Sequence, residues 1–255
     1  MREETVQLAA LIGDARSILL FTGAGISTGS GIPDFRGPDG VWQRRQPVYY
    51  QDFMSSEAAR VEHWDYKLEG WAAFRDARPN QAHDACVALE KAGRIRLLVT
   101  QNIDGLHQRA GTSREKLVEI HGTNSEVECQ TCGARSDPEG AFREFESTRK
   151  PPRCGCGGWL KPATISFGQN LRSEDLRRAE EGARAADLAI ALGSSLSVTP
   201  ASSFPLMAAM NGAQYAIVNR GNTDHDRRPE VTLRIEGDVS ELFPAAVGMA
   251  LSGEV

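Results

Sequence analysis

Short apolar runs rich in branched residues recur along this chain at 17–22 (SILLFT), 94–100 (RIRLLVT), 187–192 (DLAIAL), 214–219 (QYAIVN) and 231–236 (VTLRIE), with helical periodicity between them. Runs of this length read as strands. Strands alternating with helices make a mostly parallel sheet covered on both faces, because each parallel crossover needs a helix-length connection. The helices carry their own signals. Leu8, Leu11, Ile12 and Ala15 share one face of an N-terminal helix whose first turn holds Glu3 and Glu4. Asn80 caps a helix that runs to Gly93, with Cys86 as a small buried hydrophobe, and Ser173 caps another that opens with Glu174 and Asp175.

Two segments break this rhythm. Residues 38–79 hold Tyr49, Tyr50, Phe53, Trp64, Tyr66, Trp71 and Phe74 without a clear strand, which reads as an aromatic helical insert. Residues 123–162 hold four of the five cysteines and several prolines, which reads as a metal-stapled lobe. The expected fold is therefore α/β: a large Rossmann-like domain built from 1–37, 80–122 and 163–255, and a small domain assembled from the two insertions. A ligand cleft is expected between them. With 255 residues, 40% hydrophobic, 25% charged and a net charge of -5, the chain can bury a sizeable core and has no basic footprint for nucleic acid. No apolar run approaches the roughly 18 residues that span a bilayer, so no membrane partner is expected. The amphipathic N-terminus lacks the layout of a signal peptide. A cytoplasmic location with reduced cysteines is the expectation.

The first strand runs into GAGISTGSGIPDFRG (23–37), a glycine-rich turn that opens toward a helix. Glycine there lets the backbone approach a pyrophosphate, and free amides at a helix start favour its charge. Gly23, Ala24, Gly25, Ile26 and Ser27 form the candidate turn, but Thr28 stands where a dehydrogenase fingerprint has its third glycine. No strand ending in a ribose-reading acid follows about 20 residues on. The next loop, IPDFRG, would place Asp34, Phe35 and Arg36 above the phosphates and the nicotinamide end. At the C-terminal end of the second strand, Gln101, Asn102, Ile103 and Asp104 put three polar groups in four positions, suited to a ribose and a carboxamide, though capping and turn formation account for such residues equally. His121 follows another short apolar run on the same sheet edge, and imidazole is the usual general base near neutral pH.

Cys129 and Cys132 with Cys154 and Cys156 make two thiolate knuckles, the donor set of one closed, structural Zn2+ site. The single residue between Cys154 and Cys156 is tighter than the usual spacing and implies a strained or weaker geometry. Three further strand ends carry small or polar groups: Gly193, Ser194 and Ser195, then Asn219 and Arg220, then the EGDV that contains Val239. Together they can line the adenosine half of a nucleotide.

With these residues in order, the chain resembles the sirtuins, the NAD-dependent protein deacylases. GAGISTGSGIPDFRG, TQNIDGLH, the HG at 121–122, the cysteine pairs, LKPATISFG, GSSLSV, VNR and the final GDV follow the family's order over nearly the whole length. The resemblance implies NAD as a consumed co-substrate, with adenosine near Gly193, Ser194, Asn219, Arg220 and Val239 and nicotinamide near Ile32, Asp34, Asn102 and Asp104. It further implies attack of an acyl-lysine oxygen on the ribose carbon to give an alkylimidate, with Phe35 and Arg36 shielding the electrophile. His121 then takes a ribose hydroxyl proton, and the products are lysine, nicotinamide and O-acetyl-ADP-ribose. Asn102 joins His121 in the catalytic set. An acyl-lysine peptide would add as a strand between 166–171 and 195–198, touching Ile165, Phe167, Gly168 and Leu196, in a monomer or weak homo-oligomer. Family members that prefer acidic acyl groups carry Tyr-x-x-Arg on the helical insert. Here Tyr66 is followed three residues on by Glu69, which implies neutral acyl groups, acetyl first. ADP-ribosyl transfer to protein, or a silent NAD-sensing or zinc-ribbon module, are the rival readings.

Overall fold

A computed structural model of the chain describes residues 2–34 and 46–253. Helix α1 (Glu3–Asp14) leads into strand β1 (Ile18–Thr22), and two further helices, α2 (Tyr50–Ser55) and α3 (Glu57–Asp76), lie in the first insertion. Next come α4 (Gln81–Lys91), β2 (Ile95–Thr100), α5 (Leu106–Ala110) and β3 (Leu117–Glu119). The cysteine lobe holds β4 (Gly122–Cys129), β5 (Arg135–Ser136), α6 (Pro138–Thr148) and β6 (Leu160–Thr164). The chain closes with α7 (Ser173–Arg184), β7 (Leu188–Leu192), α8 (Ser203–Met210), β8 (Gln214–Asn219), β9 (Leu233–Glu236) and α9 (Val239–Ser252).

Six strands form one sheet in the order β3-β2-β1-β7-β8-β9, with every pairing parallel. This is the doubly wound order, with the chain reversing direction between β1 and β7. The central strands β1 and β7 are buried along their whole length. Their period-two alternation divides the core. Ile18, Leu20, Leu188 and Ile190 face α1, α4 and α9, while Leu19, Phe21, Ala189 and Ala191 face α7 and α8. The cysteine lobe makes a separate sheet, β5-β4-β6, antiparallel throughout. It shares an apolar cluster with the first insertion: Phe53 and Trp64 from α2 and α3 pack on Phe142 and Phe145 of α6, and Trp71 stacks on Phe142 with ring centroids 4.1 Å apart.

Two local expectations are corrected. Ser173 is the first residue of α7 and not its cap; Arg172 holds the cap position, makes no capping bond, and its guanidinium reaches Glu128 at 2.8 Å. No α-helix follows the glycine turn among the described residues before Tyr50. Short 3₁₀ turns at Ala24–Ile26 and Thr28–Ser30 stand there, ended by Gly31 in the left-handed region.

Two imidazoles lie under the sheet's edge, His83 and His107, at 0% and 2% exposure with ring centroids 4.9 Å apart. Thr22 Oγ1 donates to Thr100 Oγ1, so His107 Nε2–H donates to Thr22 Oγ1 at 2.9 Å, while His83 Nδ1 accepts the Asn80 amide. Each ring's other nitrogen is buried without a partner. Burial pushes His83 down to about 4 and His107 well below its usual range. Both folded values lie below the unfolded one, so the stability they carry is complete above about pH 6.5 and is lost as pH falls, by up to about 1.4 kcal/mol per group per pH unit. Urea unfolding should show these two rings making the protein less stable at pH 5 than at pH 7, by on the order of a few kcal/mol together. A flat profile over that window would show that the fold holds neither ring neutral.

Candidate active site

The carboxyl ends of β1 and β7 meet at the point where the sheet reverses direction, which is where doubly wound folds bind ligands. Three glycines interlock there. Gly23 N donates to Leu192 O at 2.9 Å, Gly25 N to Gly193 O at 2.8 Å, and Gly193 N to Val218 O at 2.9 Å. A Cβ on Gly25 would stand 2.7 Å from Gly193 Cα, and one on Gly193, whose φ is +61°, would stand 2.5 Å from Ile26 N. The glycines therefore serve the close approach of two strand ends. The amides of Ile26 and Ser27 also donate within the turn, to Gly23 O and Ala24 O. Ala24 lies on the cavity wall.

Over this junction lies a cavity of about 730 Å³. Its floor includes Gly23, Ala24, Gly25, Asp34, Gly193, Ser194 and Ser195, and its flank includes Asn219, Arg220 and Val239. Gln101, Asn102, Ile103 and His121 line the other side, with Ile165, Phe167 and Gly168. Five residues expected at the ligand lie outside this lining. Ile26, Ser27, Ile32 and Asp104 are buried behind the wall, and Leu196, with φ +57°, is turned into the core beside Phe204. Phe35 and Arg36 lie outside the described residues.

The buried residues nonetheless act on the wall. Asn102 Nδ2 donates to Gly23 O and to Ser27 Oγ, both at 3.1 Å, and Ser27 Oγ in turn donates to Asp104 Oδ2 at 2.7 Å. Asp104 Oδ1 takes the Leu106 amide at 2.9 Å, and burial raises its carboxyl above the usual range. Both amide hydrogens of Asn102 are thereby used, so its Oδ1 presents an acceptor to the cavity. Gln101 Nε2 ties the end of β2 to Ser194 Oγ at 2.8 Å. Arg220, exposed, pairs with Asp238 at 2.8 Å.

His121 is half-buried, just after β3, with Nδ1 3.2 Å from Gln101 O. A carbonyl accepts only, so Nδ1 carries the proton and Nε2 keeps a lone pair with which to take one. The His121 carbonyl accepts the Ile165 amide at 2.7 Å, binding the base to the segment beyond β6. That segment is held from the helical insert: Tyr50 N donates to Phe167 O and Gln51 Nε2 to Gly168 O, both at 2.9 Å.

Helix α3 contributes a wall that sequence reading missed. His63, Tyr66 and Lys67 line the cavity beside Ile103 and Thr164, whereas Glu69 is exposed and outside the lining. Lys67 Nζ donates to Asn124 Oδ1 at 3.2 Å, and burial lowers its amine to about 8. Lys161, 1% exposed, donates to the Pro162 and Thr164 carbonyls; burial and then the charge of Lys67 lower it to about 7. His63 is pushed well below its usual range by burial first and these two lysines second, and its Nε2 has no partner. The spacing of 63 and 67 on one helical face is the only trace of this wall in the sequence.

The four cysteine sulfurs lie within 4.8 Å of one another, with Cys129 to Cys156 at 3.5 Å and Cys132 to Cys154 at 3.8 Å. A zinc ion bonded to four sulfurs at about 2.3 Å sets them roughly 3.8 Å apart, so the donors fit a tetrahedral ion. Gly157, at φ +87°, closes a turn onto Cys154 O, which brings Cys156 to the cluster despite the tight spacing.

Residues 23–200, well over half of the chain, match the model of the Sir2 family. The NAD-dependent protein deacetylase of Rhodopseudomonas palustris is 42% identical, over 95% of both chains. NAD-dependent protein deacetylase 1 of Bradyrhizobium diazoefficiens is 40% identical, over 97% of both. A Sir2 protein solved with a p53 peptide and NAD+ superposes with a TM-score of 0.86 at 36% identity and full coverage of both chains. By sequence and by architecture alike, this chain belongs to the Sir2 family.

Proposed function

We propose that this chain is an NAD-dependent protein-lysine deacetylase that releases nicotinamide, lysine and O-acetyl-ADP-ribose. One observation carries the reading: the glycine junction, the locked Asn102 amide and a His121 poised to accept a proton share one cavity. The names of the two relatives and the peptide-NAD+ complex of the similar structure support it.

NAD, when bound, supplies a ribose carbon that becomes electrophilic as nicotinamide departs. The chain's own residues do the rest. Ala24 and the strand ends at Gly193 and Ser194 receive the phosphates, with Asn219 and Val239 toward adenosine. Asn102 Oδ1, fixed by Gly23 and Ser27, orients the reacting end. His121 Nε2 takes the proton of a ribose hydroxyl, and the Gln101 carbonyl on Nδ1 steadies the imidazolium that results. Phe167 and Ile165 wall the acyl-lysine side. The division of the chain into a large domain from 1–37, 80–122 and 163–255 and a small domain from 38–79 and 123–162, with one structural zinc, belongs to the same proposal, as does work in the cytoplasm. No helix among the described residues is long and apolar enough to cross a membrane.

An acetyl-lysine peptide incubated with the protein and NAD should lose its acetyl group in step with nicotinamide release, with O-acetyl-ADP-ribose detected by mass. Nicotinamide without deacetylation would point to ADP-ribosyl transfer. Silence in both channels would leave a binding module.

A further inference from the structure

A buried chain of hydrogen bonds runs from helix α5, through the ends of two strands, to the wall of the cavity. His107 Nε2–H donates to Thr22 Oγ1 at 2.9 Å, and Thr22 Oγ1 donates to Thr100 Oγ1 at 2.8 Å. Thr100 Oγ1 also accepts the Asn102 amide at 3.0 Å. None of the four residues is more than 4% exposed. Thr22 and Thr100 are register partners at the carboxyl ends of β1 and β2, and Gly23, next after Thr22, supplies a carbonyl that takes Asn102 Nδ2. The main chain of Asn102 and an acceptor of its side chain thus both depend on one pair of hydroxyls. The imidazole of His107 sets which way that pair points.

Packing does not account for an imidazole here. An apolar side chain would fill the space without penalty, whereas His107 Nδ1 and His83 Nε2 lie buried without partners, and such nitrogens are unfavourable to bury. The bond to Thr22 does account for it. His83 Nδ1 accepts the Asn80 amide, so its Nε2 carries a hydrogen, while His107 Nδ1 keeps a lone pair. The two rings are compatible while both are neutral, and burial, with Arg109 beside His83, holds them so. Neutral His107 with its hydrogen on Nε2 is the form that the Thr22 bond needs.

We infer that His107 is a positioning residue for the step that releases nicotinamide: through the Thr22 and Thr100 hydroxyls it fixes Asn102, so that Asn102 Oδ1 meets the reacting end of the dinucleotide in one orientation. The inference rests on the deacylase reading of the cavity. His107 lies outside the cavity lining and acts through Asn102 alone. The run 101–107 therefore holds both the group that faces the ligand and the group that aims it.

The test measures kcat and KM separately for NAD and for an acetyl-lysine peptide, with exchange of labelled nicotinamide into NAD, in the parent, His107→Leu and His107→Gln. Lost aim at a bound dinucleotide should lower kcat in His107→Leu by about tenfold to a hundredfold and leave both KM values within about twofold. Nicotinamide exchange should fall by a similar factor, because cleavage precedes the step that uses His121. An amide donor in place of Nε2–H should bring His107→Gln back to within about threefold of the parent kcat. Thr22→Val breaks the same chain with little change of shape and should lose as much as His107→Leu, and the double variant should lose little more than either. Melting curves confirm that each variant is folded at the assay temperature, and Thr22→Val with His107→Gln carries the same test if His107→Leu is not. Folded His107→Leu with a kcat within about threefold of the parent, a loss that appears in KM at unchanged kcat, or His107→Gln no faster than His107→Leu overturns the positioning role and leaves the deacylase reading standing. A parent that releases no nicotinamide with the peptide overturns the deacylase reading itself.

Discussion

Stripping zinc from the cysteine cluster, or replacing Cys129 with Ser, should melt the small lobe and silence the enzyme together. Cys129 ends β4, and that strand pairs with both β5 and β6. The same lobe supports α6, whose Phe142 and Phe145 pack on Trp64 of α3. Helix α3 in turn brings His63, Tyr66 and Lys67 to the cavity. Loss of the metal is thereby transmitted to the site through one small apolar cluster. Structural zinc contributes about 10–16 kcal/mol in isolated fingers. Here the aromatic cluster retains part of the lobe, so a loss of about 5 kcal/mol and a melting temperature lower by roughly 10 °C or more is expected. Metal analysis should find one zinc per chain. Chelated protein that melts unchanged, with no zinc released, would show that the thiols hold nothing structural.

His121→Ala should lower deacetylation by about a hundredfold to ten-thousandfold, the range of a positioned general base. Its imidazole bonds the Gln101 carbonyl, and the backbone bond from Ile165 to residue 121 survives the substitution. The melting temperature should therefore move by no more than about 2 °C, the effect of a partly exposed truncation. Activity equal to that of the parent would remove His121 from its role. A variant that is inactive because it is unfolded would show the same loss of turnover together with a collapsed melting curve, so the two readouts are needed together.

Much of this fold was legible because its signals are local. Five strand runs were placed to within two residues; at 231–236 the strand proper starts later because the Val231 amide closes a turn onto Arg228 O while Thr232 bonds Tyr215 O. Asn80 caps α4 as its residue type demands. The four cysteines and the glycine turn announce themselves by spacing. Ser173 misled because two residues compete for one boundary, and Arg172 was drawn to Glu128 on a strand 44 positions away.

The site was legible as a set of residues and much less so as a surface. A sequence lists Asn102, Asp104 and Ser27 as equals, but packing puts Asn102 at the wall and the other two behind it, so that one presents an acceptor and the others fix its direction. Leu196, expected at the peptide, is turned inward by a left-handed backbone that no neighbouring residue type signals. The chain by itself determined the strand runs, the clustered thiols and a histidine just past a strand end, because each depends on residue type and short-range spacing. Tertiary structure alone decided which polar groups face the cavity and what charge stands there. Burial and the company a side chain keeps are set by elements distant in sequence: Lys67 on α3 meets Asn124 on β4, 57 residues on, and that meeting places an ordinary lysine, half-buried, on the cavity wall.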